Sequence, residues 1–128
     1  DPTTLSAGEV LIGFAGDLYG QTFEDQCIGT IDVTVQDKAI TGTLSCGFQG
    51  QLATFIPGEQ TATVSGSISD TTASGSLDLQ ISDQTFSLKW DGTTDGTAIY
   101  GAFEGDNPFE AGGFTLQLSY SGGFHATK

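Results

Sequence analysis

The residue pattern predicts an all-β fold: an antiparallel up-and-down meander of about eight strands closing into a β-barrel, with a two-sheet β-sandwich as the alternative. Three observations predict it. Thr, Ser, Val, Ile and Phe abound in the 128 residues, while Met and Arg are absent, a palette that suits pleated, half-buried strands. Apolar and polar residues alternate with period two along most of the chain, which puts one set of side chains on each face of a strand. Short segments rich in Gly, Asp, Ser and Thr interrupt the alternation at close intervals, as turns do in all-β domains. A chain of this length suits one domain with a buried core, spanning 1–128.

An early strand fits residues 9–15. Residues 27–35 (Cys-Ile-Gly-Thr-Ile-Asp-Val-Thr-Val) and 38–47, opening Lys-Ala-Ile-Thr-Gly-Thr-Leu-Ser-Cys, form a hairpin. Folded about Gln36-Asp37, it sets Val35 against Lys38, Val33 against Ile40, Ile31 against Gly42, Gly29 against Leu44 and Cys27 against Cys46. One face then collects Cys27, Ile31, Val33, Val35, Ile40, Leu44 and Cys46. The other collects Thr30, Asp32, Thr34, Thr41, Thr43 and Ser45. A slip of one residue would scramble both faces. The same register joins the two sulfurs, so a Cys27–Cys46 disulfide is expected, and with it an oxidising, extracellular or cell-surface location.

The alternation continues through 60–68, where Ala62, Val64, Gly66 and Ile68 share a side, and 73–82, where Ala73, Gly75, Leu77, Leu79 and Ile81 do. A turn is expected at Ser82-Asp83-Gln84-Thr85. Phe86, Leu88 and Trp90 define 85–91, and Ile99, Gly101 and Phe103 define 97–104. The last strand, 113–127, keeps one parity from Phe114 to Ala126. Asp106 to Ala111 has the composition of a single helical turn. An even number of strands lets the first lie antiparallel to the last, and closure removes both edges. Gly29, Gly42, Gly66, Gly75 and Gly101 fall on the inward parity, where they make room for the rings of Phe86, Trp90, Phe103 and Phe114. A mostly filled interior follows, with a usable internal cavity as the alternative.

The C-terminal segment resembles a known family. Gly101-Ala102-Phe103-Glu104-Gly105-Asp106-Asn107-Pro108-Phe109-Glu110-Ala111-Gly112-Gly113-Phe114, followed by Gly123-Phe124-His125-Ala126-Thr127-Lys128, is similar to the closing segment of transferrin-binding-protein-like barrels of surface lipoproteins and hemophores. These end in a Gly-x-Phe strand, a short Asn- and Glu-containing link, a Gly-Gly-x-Phe strand and a Gly-x-Phe-x-Ala-basic tail. The similarity falls within the last 28 of the 128 residues. It implies a surface or secreted eight-stranded barrel that captures a host protein, haem or another solute. The chain departs from the family in having no lipid-accepting Cys near Asp1 and no second, ligand-handling domain. No functional residue carries over.

Charge narrows the partners. Sixteen acids against three cations (Lys38, Lys89 and Lys128) give a net charge of -13. Nucleic acid is a poor partner because phosphate neutralisation needs Lys and Arg, and anionic membranes are repelled for the same reason. Cationic proteins or metal ions are attracted. No run approaches the ~20 apolar residues of a membrane-spanning helix. The opening Asp1-Pro2-Thr3-Thr4 reads as a mature end left after processing, or as a truncation boundary.

Catalytic signatures are weak, and no enzyme activity is expected. His125 is the single His and falls on the outward parity, so a solvated imidazole is expected. Ser65-Gly66-Ser67 and Ser74-Gly75-Ser76 sit within strands. The carboxylates of Glu104, Asp106 and Glu110, and those of Asp17, Glu24 and Asp25, read as solvated loops. Asp91 and Asp95 bracket a Gly-containing loop that offers two carboxylates to a calcium ion, as hard cations require, although the loop lacks the length and closing Glu of an EF-hand; no other cofactor is expected. Tyr19, Phe23, Phe48, Phe55 and Phe109 fall in expected loops, where they serve as anchors for a partner or cap the barrel ends. These readings converge on a non-catalytic secreted or cell-surface module that recognises a protein or small ligand through loops at a barrel end. The alternative is a structural subunit of a filament, surface layer or adhesin that self-associates, with Asp1 to Gly8 pairing with a neighbour's sheet edge.

Overall fold

A computed structural model describes residues 2–18, 20–81, 84–111 and 113–128. The sheet consists of β1 (Thr3–Leu5), β2 (Ala7–Leu18), β3 (Gln21–Gln36), β4 (Ala39–Phe48), β5 (Glu59–Ser69), β6 (Thr72–Ile81), β7 (Gln84–Thr94), β8 (Ala98–Ala111) and β9 (Phe114–Thr127), with α1 (Leu52–Phe55) between β4 and β5. Each strand from β2 to β9 pairs antiparallel with the next, and β2 also pairs with β9, so eight strands close into a barrel. The sandwich alternative is thereby set aside.

β1 is the extra strand. It pairs with β3 in line with β2, from Thr3↔Val35 to Leu5↔Val33, and pairing resumes at Glu9↔Thr30. Three residues (Ser6, Ala7 and Gly8) therefore oppose two (Ile31 and Asp32), a bulge that bends the strand. Gly8 lies so close to the Ile31 carbonyl that a Cβ there would overlap it. The N-terminal segment is thus paired within its own chain, with Leu5 in the core.

The β3–β4 hairpin corrects the expected register. Asp37 and Lys38, both with positive φ (54° and 68°), form the two-residue turn, the backbone twist that favoured hairpin turns demand. Val35 therefore faces Ile40 and Ile31 faces Leu44, a shift of two residues from the sequence-based pairing. Because side chains alternate with period two, a shift of two preserves both faces. Cys27 lies opposite Phe48 and Cys46 opposite Gly29. The sulfurs meet diagonally, and the disulfide forms with a Cα–Cα distance of 5.2 Å.

Other expectations change at element ends. Residues 106–111 are strand, not helix, and the helical turn lies instead at Leu52–Phe55. Strand β7 runs to Thr94, so the expected 91–96 loop contracts to the turn after Thr94. The hairpin arms reach beyond their expected ends, with β2–β3 pairing out to Leu18↔Gln21 and β8–β9 out to Ala111↔Phe114. Of the expected turn Ser82-Asp83-Gln84-Thr85, Ser82 and Asp83 lie outside the described residues, and Gln84 and Thr85 belong to β7 instead.

Inward side chains fill the barrel. Near the α1 end, Phe14 packs against Phe48 and Phe86 (ring centroids 5.6 Å for each), and Phe86 against Phe109 (6.5 Å) and Tyr120 (6.0 Å). Near the other end, Phe124 meets Trp90 (5.0 Å) and Phe103 (5.8 Å). Two inward glycines make the expected room: a Cβ on Gly66 would lie 2.7 Å from Trp90 Cζ2, and one on Gly101 would overlap Phe124.

One junction is closed differently from the rest. The β7–β8 ladder runs only from Trp90↔Phe103 to Thr94↔Ile99, although both strands continue toward the α1 end. Side chains bridge the remainder. The Gln84 carboxamide donates to the Glu110 carbonyl and accepts from the Glu110 N–H (3.0 Å), Asn107 Nδ2 donates to the Ser87 carbonyl, and the Lys89 N–H donates to Tyr120 Oη (3.0 Å).

Candidate functional site

The barrel end bearing α1 is built around Asp25. This carboxylate faces inward from β3 and is buried. Its Oδ1 accepts from the N–H groups of Gln26 (2.7 Å), Gln49 (3.1 Å) and Gly50 (2.8 Å), and Oδ2 accepts from Leu52 N–H (2.7 Å). It therefore satisfies the orphan donors at the start of α1, a service that helix ends require from some acceptor. Leu52, Ala53 and Ile56 pack on the core beneath.

Among the described residues, the expected aromatic anchors Phe23, Phe48 and Phe109 are not gathered into an exposed platform. Phe48 closes β4 and is buried; Phe23 in β3 and Phe109 in β8 are half-buried against the core. All three occupy strands, in place of the expected loops. Phe55 stands in α1, and its side chain and Tyr19 lie outside the described residues. The end expected to carry recognition loops is thus largely capped.

The open concavity lies instead on the outer wall, where β3, β2, β9 and β8 are neighbours. The strand registers stack outward-facing residues into rows. One row runs Glu24, Ala15, Ser119, Asp106, and the next runs Gln26, Gly13, Ser121, Glu104. The small residues form the floor of a trough of 770 Å³, walled by Glu24 and Gln26 on one side and by Glu104 and Asp106 on the other. Its upper reaches are flanked by two hairpin arms. β2–β9 pairing ends at Ala15↔Ser119 and β3–β4 pairing at Cys27↔Phe48, so the tips of β2–β3 and β8–β9 extend past their neighbours.

The third row adjoins the trough and reads Ile28, Leu11, Gly123, Ala102. Among the described residues the exposed large hydrophobics are Leu11 (38%), Ile28 (42%) and Tyr100 (50%). Leu11 and Ile28 are cross-strand partners, and Tyr100 stacks on His125 in the next row (4.5 Å, interplanar angle 9°). Contiguous apolar area on a soluble surface marks a contact site more often than scattered residues do. His125 is exposed, as its parity predicts.

A second, smaller concavity of 320 Å³ lies on the wall formed by β3, β4, β5 and β6, lined by hydroxyl side chains with Asp32 and Asp78. Asp78 already accepts from Ser87 Oγ (2.7 Å).

The calcium candidates stand apart in role. Asp91 is an exposed residue of β7, opposite Ser74 and Ala102. Asp95 occupies the β7–β8 turn, where Oδ1 accepts from Thr97 N–H (2.9 Å), Thr97 Oγ1 (2.8 Å) and Ala98 N–H (3.0 Å). The hydrogen bonds from the Thr97 backbone and hydroxyl hold its carboxyl below the ordinary value of 3.8. Among the described residues no group of three or more His, Cys, Asp or Glu is placed to hold a metal ion. No helix among them is long and apolar enough to cross a membrane.

The trough residues escape sequence reasoning because they come from four separate stretches of chain, and no local motif unites Gly13 and Ala15 with Ser119 and Ser121. Comparison with protein-family models, curated proteins and solved structures returns no match.

Proposed function

We propose that the protein is a non-catalytic binding module, secreted or displayed at a cell surface, that engages a protein partner through the outer wall formed by β3, β2, β9 and β8. One observation carries this reading: the 770 Å³ trough and the exposed apolar row adjoin on the same four strands. A filled interior favours a macromolecular partner over an enclosed solute, and the inward packing of Phe23, Phe48 and Phe109 favours the wall over the barrel-end loops. The disulfide accords with an oxidising compartment. The similarity of the closing segment to transferrin-binding-protein-like barrels accords with capture of another protein. The filament reading draws no support from the N-terminal segment, which pairs with its own β3.

The test fills the trough without touching the core. Ala15 and Ser121 point outward, so Ala15→Tyr and Ser121→Tyr place rings on the floor at positions where aromatic residues favour strands. Immobilised wild-type protein is expected to retain a defined species from its source medium at fixed stoichiometry, identified by native mass spectrometry. The two variants should lose that species while keeping the wild-type melting temperature. Equal retention by variants and wild type, or no retention by the wild type, would overturn the reading.

A further inference from the structure

The chemistry of the partner can be read from the walls of the trough. Glu24 stands on one side and Glu104 and Asp106 on the other, separated by β2 and β9. Three inter-strand spacings make the channel about 14 Å across, wide enough for one polypeptide segment. Two of the three cations lie elsewhere. Lys38 sits in the β3–β4 turn and Lys128 follows β9, its N–H bonded to the Thr97 carbonyl, both at the end opposite α1. Lys89 projects from β7 opposite Ser76 and, one residue past the last β7–β8 pair Trp90↔Phe103, flanks Glu104 from the strand beyond the trough. The rows on β3, β2, β9 and β8 therefore set three carboxylates, Glu24, Glu104 and Asp106, against that one flanking cation, next to an apolar step made by Leu11 and Ile28.

Several occupants are disfavoured by these charges. A second copy would bring together two chains each of net charge -13, and nucleic acid or an anionic membrane would meet the same repulsion. We propose that the occupant is a basic polypeptide segment of another protein, with Lys or Arg side chains on Glu24, Glu104 and Asp106 and an apolar side chain on Leu11 and Ile28. This rests on the binding role proposed above and adds the partner's chemistry. Exposed carboxylates steer such a segment and select it, while the apolar step retains it.

Defined probes test the inference. The capped heptapeptide Lys-Leu-Lys-Leu-Lys-Leu-Lys and its Glu-for-Lys counterpart are titrated into the whole chain by fluorescence anisotropy at physiological salt, where charges farther apart than about 8 Å are screened. Three variants accompany the wild type: Glu24→Gln/Glu104→Gln/Asp106→Asn, the charge-matched control Asp32→Asn/Asp37→Asn/Asp70→Asn, and Leu11→Ser/Ile28→Ser. All these positions are exposed. The first triple should weaken the Lys probe about tenfold and the control less than about twofold. The Leu11/Ile28 pair should weaken it with no change in salt dependence. Equal weakening by both triples, equal binding of the Glu probe, or no binding of the Lys probe by the wild type would overturn the proposal. A natural partner lost on Ser121→Tyr but indifferent to the first triple would sink this inference and leave the binding role standing; loss of the binding role itself shows as no retention at all.

Discussion

Asp95 and Gly101 show how single residues govern this chain. Asp95 is a turn organiser, with one oxygen gathering three donors from Thr97 and Ala98. Its carboxyl is held below 3.8 chiefly by the Thr97 backbone N–H and then by the Thr97 hydroxyl. A depressed carboxylate supports the fold above its unfolded value, and that support fades as pH falls through the folded value. The β7–β8 turn should therefore loosen only in acid below 3.8, with the Asp95 titration and the Thr97 amide shift moving together by NMR. Asp95→Asn should retain the turn in part and Asp95→Ala should not. Gly101 tests packing. A Cβ there would overlap the Phe124 ring, so Gly101→Ala should cost about 1–3 kcal/mol, measured by urea unfolding. The inward parity of Gly101 was legible in the sequence, but the ring it accommodates was not, because parity assigns a face and does not give the register that sets Phe124 directly opposite on β9.

At the scale of elements, strand positions were legible wherever alternation was clean, as in β5, β6 and β7. They failed where a backbone device intervenes. The Ser6 bulge hid β1, since one extra residue breaks the period. Pro108 and the acids around it disguised the end of β8. α1 is a single turn, too short to show a period, and depends on a carboxylate from a different strand. That dependence is testable. Asp25→Ala removes the acceptor of the Gln26, Gly50 and Leu52 N–H groups, while Gln49 N–H keeps the Gln26 carbonyl, and should cost about 2–4 kcal/mol. Amide exchange should rise first at Gly50 and Leu52. Unchanged exchange there would mean that α1 is held by its apolar contacts alone. The trough illustrates the limit of the sequence at this scale: Glu24, Glu104 and Asp106 looked like solvated loop acids, and only the strand registers bring them to opposite banks of one channel.

For the whole molecule, the Cys27–Cys46 bridge ties β3 to β4 inside the core, both sulfurs buried and 19 residues apart in sequence. Cross-linking a loop of this size restricts the unfolded chain by about 3 kcal/mol. Cys27→Ala/Cys46→Ala should lower the melting temperature by about 10 °C in calorimetry, with the barrel retained by circular dichroism. The partly unlaced junction between β7 and β8 acts in the opposite sense. Beyond Asp106 the β8–β9 hairpin shares no backbone ladder with either flanking strand. It is moored to β7 by the amides of Gln84 and Asn107. Gln84→Ala/Asn107→Ala should therefore speed amide exchange across 106–117 while the melting temperature stays within a few degrees. Two arms thus overhang the packed interior, the β8–β9 tip held by the amide side chains of Gln84 and Asn107 and the β2–β3 tip by the Asp25 carboxylate.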